Sequence, residues 1–147
     1  MVTLMSYLVK NYMLKDFPKV EERTSSLEAA RTMVASSRGF LIILREGHPV
    51  GIVTEHDFVE KILTKERDPT KVSIGEIMSS PLITVDPDED LLKASELMQK
   101  NKIRRLPAVK DGIIYGVLTT REISQRVGEY IDRSIRDIMR WASPFGR

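Results

Sequence analysis

Apolar residues recur along this chain at the spacing of a helix face and then in short runs typical of strands, and both halves of the chain show this order. In the second half, Leu91, Ala94 and Met98 recur at the spacing of one helix face. The first half repeats that spacing with four residues: Leu27, Ala30, Met33 and Val34. An amphipathic helix is therefore predicted in each half.

The residues before each helix predict where it begins. In the second half, Asp86 suits the N-cap, Pro87 the first helical position and Glu89 the acid of a capping box. In the first half, Ser25 and Glu28 are the expected capping pair. A short extended segment is predicted before each helix, over residues 17–20 and 82–85.

Shorter apolar runs after each helix predict two hairpins. Residues 40–44 and 50–53 flank Glu46-Gly47, and residues 106–109 and 113–118 flank Asp111-Gly112. Asp-Gly between apolar runs is a strong signal for a tight turn. A second helix is predicted after each hairpin, over residues 58–63 and from 123 to about 131. Each half thus has the order strand, helix, strand, strand, helix.

This order repeats because the sequence itself repeats. Residues 51–58 read GIVTEHDF and residues 116–123 read GVLTTREI, so that Thr119 lies 65 residues after Thr54. The same shift aligns apolar and glycine positions far upstream, which identifies a tandem repeat. An apolar pentad at residues 9–13 recurs at 74–78 and at 135–139. We predict three parts. The first unit covers residues 1–68 and begins with an N-terminal helix, the second unit covers residues 69–132, and a closing helix with a tail covers residues 133–147.

Composition narrows the classes of chemistry. The 147 residues are 41% hydrophobic and 30% charged, as in soluble globular proteins. The chain has no cysteine and two histidines, His48 and His56, which excludes thiolate sites and argues against any metal site. No segment is long enough to cross a bilayer and no secretory leader is recognisable, so we expect a cytoplasmic protein without a membrane partner. No Walker-type loop, dinucleotide fingerprint or paired nucleophile and base is present, so we do not expect an enzyme.

The repeated Thr-x-x-acid pattern allows two interpretations. Thr54 with Asp57, and Thr119 with Glu122, have the spacing of a capping box at a helix start. The same helix start presents free N–H groups and positive charge to an anion. Spacing alone favours capping, and the two interpretations are compatible.

The doubled Gly-apolar-apolar-Thr-x-x-acid pattern, with the segment IRRLPAV at residues 103–109, resembles a pair of cystathionine-β-synthase (CBS) domains, also called a Bateman module. The resemblance implies an α/β fold in which the small sheets of two motifs pack together about a pseudo-two-fold axis. It implies a non-catalytic sensor whose clefts bind AMP, ADP, ATP or S-adenosylmethionine as a regulatory ligand. It also implies a homodimer that regulates a separate protein, and apolar terminal residues such as Tyr7 and Trp141 agree with self-association.

The resemblance also implies which residues hold the ligand. Thr54 would approach the phosphates, and Asp57 would accept hydrogen bonds from the ribose hydroxyls. His56 lies beside the expected phosphate position, but a histidine there is more often an exposed helix residue. These residues would face a group from the second unit: Ile83, Thr84, Ile103, Arg104, Arg105 and Pro107. The choice between the two arginines stays open, because adjacent residues on a strand point to opposite faces.

A second cleft is implied on the opposite side, with a weaker set of residues: Lys19, Val20, Arg38, Phe40, Thr119 and Glu122. Phe40 replaces an arginine, Lys19 replaces a threonine and Glu122 is longer than aspartate. We therefore expect one nucleotide site in each chain.

Two functions of other classes are also considered. The net charge of +2 permits a nucleic-acid partner. Such a partner would contact a series of basic residues: Lys100, Lys102, Arg104, Arg105, Arg133, Arg136 and Arg140. The acidic residues spread among them argue against this function. Alternatively, the chain is a ligand-free module that assembles with a partner protein.

Overall fold

The computed structural model describes residues 7–127 of the chain. The first unit contains β1 (Lys19–Glu21), α1 (Ser26–Ser36), β2 (Phe40–Arg45), β3 (His48–Thr54) and α2 (Glu55–Phe58). The second unit contains α3 (Leu91–Asn101), β4 (Arg105–Lys110), β5 (Ile113–Thr119) and α4 (Thr120–Val127). Short 3-10 turns at Val9–Asn11 and Ile74–Glu76 correspond to the first two pentads, and Val59–Leu63 forms a π-helical turn. The predicted closing helix lies outside the described residues.

Both predicted hairpins are present. β2 pairs with β3 and β4 pairs with β5, each pair antiparallel. The turn residues have positive φ angles, 51° and 82° at Glu46 and Gly47 and 53° and 75° at Asp111 and Gly112. Two consecutive residues at positive φ match the two-residue hairpin turns whose twist suits the flanking strands.

The first helix of the second unit begins later than predicted. Asp90, not Asp86, is the N-cap of α3, and its Oδ1 accepts from the backbone N–H of Leu92 at 2.6 Å. Asp86 instead accepts from the N–H of Asp88 at 2.8 Å, within the preceding turn. Asp90 lies 65 residues after Ser25, the N-cap of α1, so the repeat itself marks the correct position.

The edge strand is present in one unit and almost absent from the other. β1 runs parallel to β2, but the predicted extended segment at residues 82–85 makes only a single parallel bridge, between Val85 and Ala108. The prediction of a strand there is wrong except at Val85.

Pro107 explains this difference. In the first unit the N–H of Ile42 donates to the carbonyl of Pro18 at 3.0 Å. The repeat places Pro107 at the position of Ile42 and Ile83 at the position of Pro18. Because proline has no N–H, the carbonyl of Ile83 cannot accept the equivalent bond. Edge pairing begins only at Val85, which accepts from the N–H of Val109 at 2.8 Å.

The core shows that each pentad packs on the other unit. Val9, Tyr12 and Met13 lie in a buried cluster with residues of α3, β4 and β5. Ile74 and Ile77 lie in the equivalent cluster with residues of α1, β2 and β3. The two sheets meet at a third cluster: Phe17, Phe40, Ile42 and Val117. The fold is the expected α/β pair of motifs. The pentads at residues 9–13 and 74–78, which we call the opening turns, are exchanged between the two units.

Two glycines accommodate this exchange. A Cβ on Gly51 would lie 2.5 Å from Sδ of Met78, and one on Gly116 would lie 2.7 Å from Sδ of Met13. Directly beside these contacts, Ile52 exchanges two backbone hydrogen bonds with Ser79, at 3.2 and 2.9 Å. The equivalent pair joins Leu14 and Val117, at 2.8 and 2.9 Å. The glycine of the repeated signature thus provides room for a strand from the other unit.

Gly51→Ala and Gly116→Ala are each expected to reduce the free energy of unfolding by about 1–3 kcal/mol, because the added methyl group overpacks a tight contact. Gly116→Ala should cost slightly more, since its Cβ would lie 2.8 Å from the backbone carbonyl oxygen of Leu14, compared with 3.0 Å between a Cβ on Gly51 and the carbonyl oxygen of Ser79. Urea denaturation measures both losses. When Met78→Ala is combined with Gly51→Ala, the loss of unfolding free energy should be smaller than the sum of the two single losses. Denaturation midpoints equal to wild type for both glycine variants would contradict the explanation.

Candidate functional site

An open cleft of about 340 Å³ lies between the two units. This volume is at the small end of the range of about 300–1,000 Å³ typical of small-molecule sites. β3 and the start of α2 form one wall, with Ile52, Thr54 and Asp57. The other wall contains residues from the second half of the chain: Ser79, Pro81, Leu82, Ile83, Lys102, Ile103, Arg104, Arg105 and Pro107.

Asp57 is a buried carboxylate at the first wall, and 8% of its surface is exposed. Its Oδ2 accepts from the backbone N–H of Thr54 at 2.8 Å, which confirms the predicted capping interaction at the start of α2. Its Oδ1 lies 3.0 Å from Nζ of Lys61, which also donates to the carbonyl of Ile77 at 2.9 Å. Oδ2 also accepts from Oγ1 of Thr54 at 3.4 Å. Because each carboxylate oxygen can accept two hydrogen bonds, Oδ1 retains capacity for one more.

Part of the cleft lining is apolar. Ile52, Ile103 and Pro107 form it together with Leu82 and Ile83, and Ile83 is 38% exposed. The backbone of Ile83 adds a polar group, because Pro107 leaves its carbonyl without the partner that Pro18 has. An apolar slot with an available backbone acceptor suits a flat heteroaromatic ring that carries an amino group.

Another part of the lining is positively charged, with Lys102, Arg104 and Arg105. Burial lowers the pKa of Arg105, as does the adjacent charge of Arg104, while Glu55 acts in the opposite direction. The Arg105 guanidinium lies 5.4 Å from the centre of the Phe40 ring. Both arginines face this cleft because β4 begins only at Arg105, so strand alternation does not apply to Arg104.

The structure brings most of the predicted ligand-binding residues together, and two lie elsewhere. His56 is exposed, and its Nε2 lies 2.6 Å from Oε2 of Glu60. Thr84 lines a neighbouring groove with Pro49 and Val50. Five further residues line the cleft and were not predicted from the sequence: Ile52, Ser79, Pro81, Leu82 and Lys102. Strand alternation from Thr54 would have identified Ile52.

The opposite cleft is filled by the protein's own side chains. The repeat relates Leu82, Arg105, Pro107 and Ile52 of the open cleft to Phe17, Phe40, Ile42 and Val117. These four residues form the buried cluster between the two sheets, and the largest exposed fraction among them is 7%, at Phe17. A ligand would therefore have to displace two phenylalanine rings from the core.

The other residues predicted for this second cleft have structural partners. Oγ1 of Thr119 accepts from the N–H of Glu122 at 3.0 Å, and Glu122 lies 3.5 Å from Arg38. Nζ of Lys19 lies 4.8 Å from the centre of the Phe17 ring, and Val20 packs on the core of the first unit. Arg38, Phe40 and Thr119 also line a smaller cavity, of about 240 Å³, that shares Arg104 and Arg105 with the open cleft.

Within residues 7–127, no helix is long and apolar enough to span a membrane, and no three acidic or histidine side chains form a metal-binding group.

The fold and the cleft define a class: paired α/β motifs with exchanged opening turns and a ligand-sized cavity at their junction. The sequence profile of the CBS domain matches twice, over residues 9–64 and 74–129. The chain belongs to the CBS domain family, whose members are generally regulatory modules.

Curated relatives agree with this assignment. The chain is 36% identical over 118 residues to an uncharacterised protein of Methanopyrus kandleri, covering 79% of this chain and 60% of that protein. It is 31% identical over 105 residues to a mitochondrial CBS domain-containing protein of Arabidopsis thaliana, covering 68% and 51%. The chain thus spans about half to three-fifths of the length of these relatives.

Solved structures show the same fold. A conserved protein of Pyrococcus horikoshii superposes with a TM-score of 0.75 at 25% identity, covering 84% of this chain and 93% of that one. A hexameric CBS-CP12 protein from bloom-forming cyanobacteria has a TM-score of 0.73 at 24% identity, covering 92% and 82%.

Phe17→Ala and Leu82→Ala form a matched pair, because the two residues are related by the repeat. Phe17→Ala should cost about 3–5 kcal/mol of unfolding free energy, since it leaves a cavity in the core between the sheets. Leu82→Ala should cost clearly less, because Leu82 lines a cleft that is already open. Urea denaturation compares the two, and similar losses would contradict the filled-cleft description.

Proposed function

We propose that this chain is a non-catalytic regulatory module that binds an adenosine-containing ligand in the open cleft: AMP, ADP, ATP or S-adenosylmethionine. The carrying observation is that three kinds of group line the same cleft: a buried carboxylate, an apolar surface and three cationic side chains. The carboxylate suits the ribose hydroxyls, the apolar surface suits the base, and the cationic side chains suit the phosphates of a nucleotide.

The base would occupy the apolar slot between Ile52, Ile103 and Pro107. Its amino group would donate to the carbonyl of Ile83, which lacks the backbone partner of its counterpart in the first unit. Such a bond would satisfy a polar group that sits at the edge of an apolar surface.

The ribose hydroxyls would donate to Asp57. Its carboxylate is held in place by the N–H of Thr54 and by Lys61, so little side-chain entropy remains to be lost on binding. The phosphates would then face Arg104 and Arg105.

A regulatory role is supported by the contexts in which similar sequences occur. The chain is 32% identical over 124 residues to a homoserine O-acetyltransferase of Methanohalobium evestigatum, and the match covers 24% of that enzyme. A module that occupies a minor part of an enzyme's length fits regulation of a catalytic unit better than catalysis.

Calorimetric titration with AMP, in parallel with thermal-shift measurements, tests the proposal. Binding of one nucleotide per chain is expected, and a ligand at about 100 times its dissociation constant should add about 2.7 kcal/mol of stability. If neither AMP, ADP, ATP nor S-adenosylmethionine binds, the proposal fails in favour of a ligand-free assembly module.

Asp57→Ala and Glu122→Ala separate capping from binding. Each variant removes the acid from an equivalent helix start and is expected to lose about 1 kcal/mol of stability. Asp57→Ala should also weaken AMP binding by about tenfold to a hundredfold, because a hydrogen bond to a charged group is lost. Glu122→Ala should not weaken it. Equal losses of affinity in both variants, or none in either, would leave Asp57 a capping residue only.

We also propose that the chain forms a homodimer. Exposed apolar side chains lie on the helices and turns of the first unit, where Val34, Val59 and Leu63 are 79%, 49% and 69% exposed. A second copy would cover part of this surface. Light scattering at tens of micromolar should give the mass of a dimer, and a monomer mass with and without nucleotide would rule the dimer out.

A further inference from the structure

Arginine side chains gather around a second cavity, of about 240 Å³, next to the open cleft. Its lining includes Arg38, Gly39, Phe40, Arg104, Arg105, Thr119 and Arg121. Arg104 and Arg105 line both this cavity and the open cleft. The two spaces therefore adjoin at these two residues.

Positive charge is in excess around this second cavity. Arg38 lies 3.5 Å from Glu122, and Glu55 acts on Arg105 from beyond ion-pair distance. In the part of the chain that the structure describes, no carboxylate lies within 4.0 Å of Arg104, Arg105 or Arg121. The four arginine side chains at this cavity thus have two carboxylates near them, those of Glu55 and Glu122, so positive charge exceeds negative charge.

The repeat shows that the fold does not require these arginines. The first unit has Gly39, Phe40 and His56 where the second has Arg104, Arg105 and Arg121. Thr120 of the second unit, which lines this cavity, is neutral, whereas the equivalent residue of the first unit is the acid Glu55. Mutual repulsion among the arginines destabilises the protein unless an anion compensates it.

The cavity also presents neutral hydrogen-bond groups to an anion. Thr119 and Thr120 line it at the start of α4. The absence of a side chain on Gly39 makes room for Arg105 and Glu55, since a Cβ there would lie 3.3 Å from Nη2 of Arg105 and 2.8 Å from Oε1 of Glu55.

We propose that this second cavity holds the terminal phosphates of the nucleotide, so that the ligand is an adenosine di- or triphosphate. The inference rests on the proposed function, because the base and ribose must occupy the open cleft. The α-phosphate of AMP reaches only Arg104 and Arg105, whereas a longer chain extends past them to Arg38 and Arg121. S-adenosylmethionine has a cationic sulfonium in place of the phosphates and is disfavoured by the same charges.

Titration calorimetry of AMP, ADP and ATP, without divalent cations, tests this in the wild-type chain. ADP or ATP should bind at least about tenfold more tightly than AMP, since each additional charged hydrogen bond is of that size. Arg121→Ala should weaken ATP binding by about tenfold and AMP binding by much less, because Arg121 lines only the second cavity. Arg31→Ala removes the same charge from the exposed face of α1, where Arg31 bonds Glu28, and should leave all three affinities unchanged.

The outcomes separate this inference from the proposed function. AMP binding as tight as ATP binding, or an Arg121→Ala variant that weakens all three nucleotides equally or none of them, overturns the polyphosphate assignment and leaves the adenosine site standing. Absence of binding by every nucleotide overturns both. A melting temperature of Arg121→Ala close to that of wild type confirms that the variant is folded.

Discussion

The close approach of each opening turn to the other unit is the constraint on which the structure depends. Met78 lies against Gly51 and Met13 against Gly116, and backbone hydrogen bonds beside each contact fix the direction in which the chain continues. After Met78, the chain runs along β3 and forms one wall of the cleft with Ser79, Pro81 and Leu82. The site therefore exists because the units exchange these segments, and a glycine in each signature permits the exchange.

A few substitutions between otherwise similar repeats make one cleft open and the other closed. Pro107 removes an amide and stops the edge strand short, which exposes the backbone of Ile83. Arg105 in place of Phe40 leaves room that an aromatic ring would fill, and Leu82 in place of Phe17 does the same. The backbone framework is shared by both units, so binding specificity depends on side chains and on one missing N–H group.

Much of this could be predicted from the sequence, because the signal was repeated. Local residue patterns, compared between the two repeats, predict the hairpin turns, the capping role of Thr54 and Asp57, and the difference between the two clefts. The N-cap of α3 was misplaced because Asp86 and Pro87 satisfy local rules, whereas the repeat position pointed to Asp90. The exchange of pentads was not predictable, since the periodicity of apolar residues shows which face is buried but not which copy covers it. Lys102 was missed because a single lysine after a helix carries no local sign of facing a cleft.

The exchanged turns have a consequence for folding. Leu14 bonds Val117, so a contact that completes the second unit joins residues near opposite ends of the described chain. The core of the first unit is complete once Ile77 has been made, because none of its buried residues lies beyond that position. The core of the second unit joins Val9 to Leu118, so it cannot close as the chain emerges from the ribosome until β5 has been made. Such long-range closure slows folding, so the second unit should fold after the first.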